Sequence, residues 1–243
     1  MITMEEGRAL KNLLYEQVAR VGKALASPKR LEMLELLAQG EKAVEPLASE
    51  VDIDVKLASA HLKALKEARL VQERRDGKRM IYRLSGGDVA QLSVTLRVVA
   101  EEHLAELRLA LQQMMAEPER LTQVGRKELL AQAKRGDVVV LDVRPPEEFD
   151  TAHLPYARSM PLAELAQRLA ELPRDAEIVA YCRGPFCLMS DEAIDLLRKH
   201  GFRARKTIDG VSEWQAAGLP VTRRRSRETG SGARHVPHAL HHQ

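Results

Sequence analysis

Apolar residues recur at helical spacing from the start of the chain. Leu10, Leu13, Leu14, Val18, Val21 and Leu25 fall on one face of a first helix, which Ser27-Pro28 ends. "PKRLEMLELLAQG" predicts a second helix, with Pro28 in its first turn and Gly40 at its end. "AVEPLASEV" reads as a short helix, "DID" as a polar break, and "VKLASAHLKALKEA" as the next helix. In "LVQERRDGKRMIYRL" two strand-like runs flank Asp76-Gly77, the pair a type I′ turn prefers, so a hairpin is expected there. Residues 88–116 read as one long helix ending before Pro118. From about residue 121 the pattern changes: "DVVVLDV" and "EIVAYC" are short buried-strand runs, with helical runs "LAELAQRLAEL" and "MSDEAIDLLRKHG" after them. Such alternation predicts a parallel sheet with helices on both faces.

The 243 residues therefore divide into a helical domain over 1–117, an α/β domain over 118–222, and a basic tail over 223–243 that has little to bury and is expected to be disordered. Charged residues make up 30% of the chain but the net charge is only +3, so it matters where the positive charge gathers. No apolar run approaches the roughly 20 residues a membrane span needs, and "MITMEEGRAL" lacks the order of a secretory signal. With only two cysteines, a disulfide framework is not expected, and the chain reads as cytoplasmic.

The two helices around "DID", followed directly by a hairpin, form a winged helix-turn-helix pattern. On the second of them Ala58, Leu62 and Leu65 share an inward face. Lys56, Ser59, Ala60 and Lys63 face outward, small and polar enough to approach base edges in a major groove, with His61 beside them as a structural or phosphate-facing residue. Arg74, Arg75, Lys78 and Arg79 surround the hairpin tip and suit phosphate contact on double-stranded DNA. The stretch "SAHLKALKEARLVQERRDGKRMIYRLS" resembles the ArsR-type repressors over roughly residues 15–115. The resemblance implies a homodimer, joined through its first and last helices, on a palindromic operator. Arg69 stands where that family usually has glycine. The cysteine pair or Asp/His sets with which family members bind metals are absent, since "VEPLASE" has no thiol and the last helix offers only His103. No metal site and no cofactor is expected.

Both cysteines, Cys182 and Cys187, lie in "AYCRGPFCLMS", after an apolar strand and before a helix that begins near Ser190. A disulfide, a metal site, a phosphatase loop or a sulfur-carrying loop could begin this way. A strand-loop-helix turn converges backbone N–H groups into an anion cradle and lowers the pKa of a thiol at its base. Arg183 would add charge there, and Gly184 close backbone approach. A phosphatase needs an arginine six positions after the cysteine, where this chain has Leu188. Around the loop, "VLDVRPPEEFDTAHLPYARSMPL" resembles the rhodanese signature through Asp142, Arg144, Glu148, Phe149, His153, Pro155 and Ala157, while Ala152 and Tyr156 replace two glycines. "IDGVSEWQAAGLPV" resembles the C-terminal rhodanese pattern through Gly210, Trp214, Ala217, Gly218 and Pro220.

The rhodanese resemblance implies that Cys182 carries sulfur as a persulfide, taken from thiosulfate, polysulfide or a small persulfide. Cys187 then resolves it, or is a small residue in the loop wall. Asp142 and Arg144 are expected to form a structural ion pair and Trp214 to pack in the core. The whole reads as a transcription repressor that carries or senses sulfane sulfur; the alternative is a sulfurtransferase merely colocated with its own DNA-binding domain. In the tail, Arg223, Arg224, Arg225 and Arg227 read as solvated charge, and His235, His238, His241 and His242 as too loosely spaced for a metal site.

Overall fold

The computed structural model describes residues 3–115 and 117–224, so the tail residues Arg225, Arg227, His235, His238, His241 and His242 lie outside the described residues. Helix α1 (Met4–Leu25) starts at a capping box in which Thr3 and Glu6 bond reciprocally. Helix α2 (Pro28–Gln39) follows with proline in its first turn. Strand β1 (Lys42–Ala43) leads into α3 (Val44–Glu50), and Asp54 caps α4 (Val55–Glu67) by accepting from the Leu57 amide at 2.8 Å. Strands β2 (Val71–Asp76) and β3 (Arg79–Leu84) form the hairpin, and β1 pairs with β3 to give a three-stranded antiparallel sheet. Met33, Leu34, Leu47, Ala58, Leu62 and Leu65 are fully buried at the centre of this helical domain.

Two local expectations are corrected. Asp76 pairs with Arg79, so the turn residues are Gly77 and Lys78, and only Gly77 has positive φ (60°). A type I′ turn needs positive φ at both positions, so this is not one. The long helix expected over 88–116 is two: α5 (Gly87–His103) and α6 (Ala105–Met114), separated at Leu104, whose extended backbone (φ −103°, ψ 107°) ends one and starts the other. No glycine or proline marks that break, so the letters do not announce it.

The second domain is built on a four-stranded parallel sheet in the order β5-β4-β6-β7: β4 (Val138–Asp142), β5 (Arg158–Ser159), β6 (Glu177–Tyr181) and β7 (Ala204–Lys206). Around it lie α7 (Arg126–Arg135), α8 (Pro146–Thr151), α9 (Leu162–Arg168), α10 (Met189–Lys199) and α11 (Val211–Ala216). Successive strand residues point to opposite faces, and both faces are covered. Val139, Leu141, Ile178, Ala180 and Cys182 belong to one core with Ala193, Ile194 and Leu197 of α10. Val138, Val140, Val179 and Tyr181 belong to the other with Leu129 and Trp214. Trp214 is buried as expected, its indole N–H without a partner among the described residues. The two buried faces explain why "VVVL" and "IVAY" are continuously apolar instead of alternating.

Candidate functional site

The outward face of α4 carries Lys56, Ser59, Ala60 and Lys63 in exposed positions, with His61 half-buried. Ser59 turns its hydroxyl back to the Val55 carbonyl at 2.8 Å. The basic residues of the hairpin divide into two sets. Arg74 is committed to Glu41 and, at 3.4 Å, to Asp76, whereas Arg75 donates to the Gly77 carbonyl at 3.0 Å. Lys78 and Arg79 are exposed at the tip and make no ion pair among the described residues. Arg69, between α4 and β2, has φ 59°, the left-handed conformation for which glycine is the inexpensive residue.

Cys182 ends the β6 run and is 3% exposed at the base of its loop. Its Sγ lies 3.3 Å from the Ser190 hydroxyl and 3.3 Å from the Cys187 carbonyl. The Cys182 pKa is lowered to about 6, first by a hydrogen bond from the Cys187 thiol, then, against the opposing effect of burial, by the Ser190 hydroxyl and the amides of Ser190 and Gly184. Two converging N–H groups and two side-chain donors thus hold a thiolate at neutral pH. Cys187 moves the other way: its thiol is held far above the usual range because it keeps the proton it shares with Cys182, and burial adds to this. The arrangement favours the thiolate on Cys182 and leaves the proton on Cys187, both free of disulfide.

The loop backbone is wedged against Gly210, where a Cβ would come 2.3 Å from the Arg183 carbonyl oxygen and 2.8 Å from that of Cys182. Arg183 does not point its charge at the Cys182 thiolate as the sequence suggested. Its guanidinium is bound to Glu148 at 2.5 Å and Glu50 at 2.6 Å.

Two family models match, the arsR family of bacterial regulatory proteins over residues 27–73 and the rhodanese-like domain over 125–217. The HTH-type transcriptional regulator Rv0324 of Mycobacterium tuberculosis is 48% identical over 211 residues, which are 87% of this chain and 92% of that one. The chain belongs to the arsR family. This ArsR-family regulator is a DNA-binding transcriptional regulator with a rhodanese-like domain. A sulfurtransferase of Allochromatium vinosum is 31% identical over 86 residues, 35% of this chain and 78% of its own. The homodimeric winged helix-turn-helix domain (fragment 1–100) of a Mycobacterium bovis protein, solved in solution, is 53% identical over 40% of the regulator and 89% of that chain, with a TM-score of 0.38.

The two domains of the regulator meet directly, which the letters gave no means of reading. Arg144, fully buried, holds Asp142 through two bonds of 2.9 and 2.6 Å and donates a third, of 2.7 Å, to the side-chain oxygen of Gln39 at the end of α2. Lys42 of β1 bridges Glu50 at 2.9 Å and Glu148 at 3.2 Å. Arg97 of α5 reaches Glu213 of α11 at 2.9 Å. Beside these pairs lies a cavity of about 490 Å³ between α2, α5 and the cysteine loop, lined by Leu31, Glu35, Val94, Arg97, Arg183 and Phe186 among others. The Glu35 pKa is raised to about 7, by burial first and then by the Glu213 charge. Glu35, Gln39, Lys42, Glu50 and Ser190 are the site residues that sequence reasoning missed. Ser190 could have been found from its place in the first turn of the helix after the loop. The others have partners in the second domain that lie more than a hundred residues away, and they carry no local signal.

Proposed function

We propose that this regulator is a cytoplasmic, homodimeric repressor of double-stranded operator DNA whose rhodanese-like domain carries sulfane sulfur on Cys182. The observation that supports the sulfur chemistry most is the closed loop, where the Cys187 thiol, the Ser190 hydroxyl and two amides favour a thiolate at pH 7. A donor such as polysulfide or a small persulfide, R–S–SH, is attacked at its outer sulfur. The donor S–S bond breaks, RS⁻ leaves, and Cys182–S–SH remains. Cys187 then gives its proton to the outer sulfur and attacks Cys182 Sγ, expelling that sulfur as hydrosulfide: the sulfane sulfur is reduced, and the cysteine pair is oxidised to a disulfide.

On the DNA side, α4 enters the major groove with Lys56, Ser59, Ala60, His61 and Lys63, while Lys78 and Arg79 grip phosphates. Arg75 stands beside them at the wing, and Arg74 contributes less because Glu41 already claims it. Dimerisation uses the exposed apolar residues Leu10, Leu13, Leu14 and Val18 of α1 with Leu92, Leu96 and Val99 of α5, a face that water-exposed helices do not normally present.

The test is peptide mass spectrometry after treatment with polysulfide, together with footprinting of the upstream region by the reduced protein. Added sulfur on the Cys182 peptide, or the Cys182–Cys187 disulfide that follows it, is expected and is lost in Cys182→Ser. A donor that leaves Cys182 unmodified sinks the carrier reading, and a parent chain that protects no DNA sinks the operator reading.

A further inference from the structure

We infer that Arg183 and Glu50 are the latch through which sulfur on Cys182 is read by the helix-turn-helix: loading draws the Arg183 guanidinium off Glu50, frees the end of α3 and weakens the grip on DNA. This deepens the sulfur-carrier reading and rests on it.

The loop has no slack for a second sulfur. Cys182 is 3% exposed, its Sγ is enclosed by Ser190 and Cys187, and the backbone behind it abuts Gly210. An outer sulfur fits only if the residues after Cys182 yield on the side away from Gly210, and Arg183 is the first of them. Its guanidinium is also within electrostatic reach of Cys187. The negative charge that Ser190, Cys187 and two amides hold on Sγ in the unloaded loop moves on loading to the outer sulfur, one bond farther out, where it competes for Arg183 with both carboxylates.

Burial decides which carboxylate gives way. The Glu148 side chain is 1% exposed and that of Glu50 is 27% exposed. A buried carboxylate stripped of its cation is costly, whereas one at the surface returns to water. Arg183 keeps its bonds to Glu148 as it leaves Glu50, and Lys42, 2.9 Å from Glu50 and 3.2 Å from Glu148, stays between the two carboxylates. Glu50 is the partner released. It is the last residue of α3, whose Leu47 and Ala48 pack in the same core as Leu62 and Leu65 of α4. The helix that supports the DNA-facing helix thereby loses its direct bond to the sulfur loop and keeps only the bridge through Lys42. The sulfur step is the balanced transfer given above, with a low-molecular-weight persulfide as donor and its thiolate as leaving group.

The experiment uses the full chain, glutathione persulfide as donor, and a duplex selected from a random-sequence pool by the reduced parent protein. Intact mass records loading before DNA is added. On loading, the affinity of the parent for that duplex should fall by about 5- to 150-fold, the usual span of allosteric coupling. Glu50→Gln should load to the same extent, bind unloaded like the loaded parent, and change by less than about twofold on loading, a response outside that coupling span. Glu50→Asp, which keeps the charge, should recover part of the response. A loaded parent with unchanged affinity, or a Glu50→Gln variant that responds like the parent, overturns the latch. An intact mass with neither added sulfur nor the Cys182–Cys187 disulfide formed from it instead overturns the carrier reading, and with it the latch, before any DNA result is read. Hydrogen exchange of the parent gives a variant-free check: amides of residues 44–50 should exchange faster when loaded, and unchanged rates overturn the proposal.

Discussion

Replacing Cys187 by alanine tests the thiolate on which the sulfur chemistry depends. In the parent, the Cys182 pKa drops from 9.0 to about 6, and its largest cause is the hydrogen bond from Cys187. At 1.36 kcal/mol per unit, that preference for the thiolate is about 4 kcal/mol. A hydrogen bond to a charged group contributes about 1.5–3 kcal/mol, or roughly one to two pKa units. In Cys187→Ala, Ser190 and the two amides remain, so the Cys182 midpoint should rise to about 7–8 on that arithmetic. The assay is iodoacetamide labelling of the Cys182 peptide across pH, followed by mass spectrometry. The plateau rate should increase slightly in the variant, because nucleophilicity grows with pKa, while the midpoint moves alkaline. Stability follows the same linkage. A thiol whose folded pKa is depressed stabilises fully above its unfolded value of 9, and the gain is lost as pH falls through 6. At pH 7, one unit above the folded value, only about a third of it remains. A parent midpoint near 9, or an identical midpoint in the variant, would falsify the account of the loop.

Glu35 shows the opposite linkage: its folded pKa lies above 4.5, at about 7, so its contribution to stability falls as pH rises from 4.5 to 7. Glu35→Gln should match the parent near pH 4 and exceed it by up to about 3 kcal/mol at pH 8 in urea melts; equal stabilities at pH 8 contradict the burial of that carboxyl. At the wing, Lys78→Ala or Arg79→Ala should each reduce the slope of log affinity against log salt by about 0.9, whereas Arg74→Ala, already bound to Glu41, should change it less. Fluorescence anisotropy at several salt concentrations separates these, and equal slopes for all three variants would refute the division. Arg144→Ala strands Asp142 without its cation in the interior and should cost about 3–5 kcal/mol in thermal or urea unfolding; a loss typical of a surface pair would contradict that burial.

Much of the fold was legible because its signals are local. Helical spacing placed α1 to α4, Ser27-Pro28 and Gly40 marked ends, and the apolar runs located β4 and β6. Strands β5 and β7 were not anticipated: two or three residues such as Arg158-Ser159 or Ala204–Lys206 carry too short a pattern to distinguish from loop. Leu104 is an exposed leucine among helix formers, and nothing in the letters around it announces its extended backbone. The Cys182 loop was recognisable from strand, thiol, glycine and helix start in order, since an anion cradle needs those neighbours in sequence. The role of Arg183 was misread for the complementary reason. Its partner Glu50 lies in the other domain, and only the folded chain brings the two together.

Gln39 accepting from the buried Arg144 has a consequence for protein engineering. The rhodanese-like half is not detachable cargo. A biosensor made by grafting a different output module onto it would leave a guanidinium facing the splice without its amide acceptor, and Glu148 without Lys42. A working chimera therefore has to import the Gln39 and Lys42 contacts along with the graft.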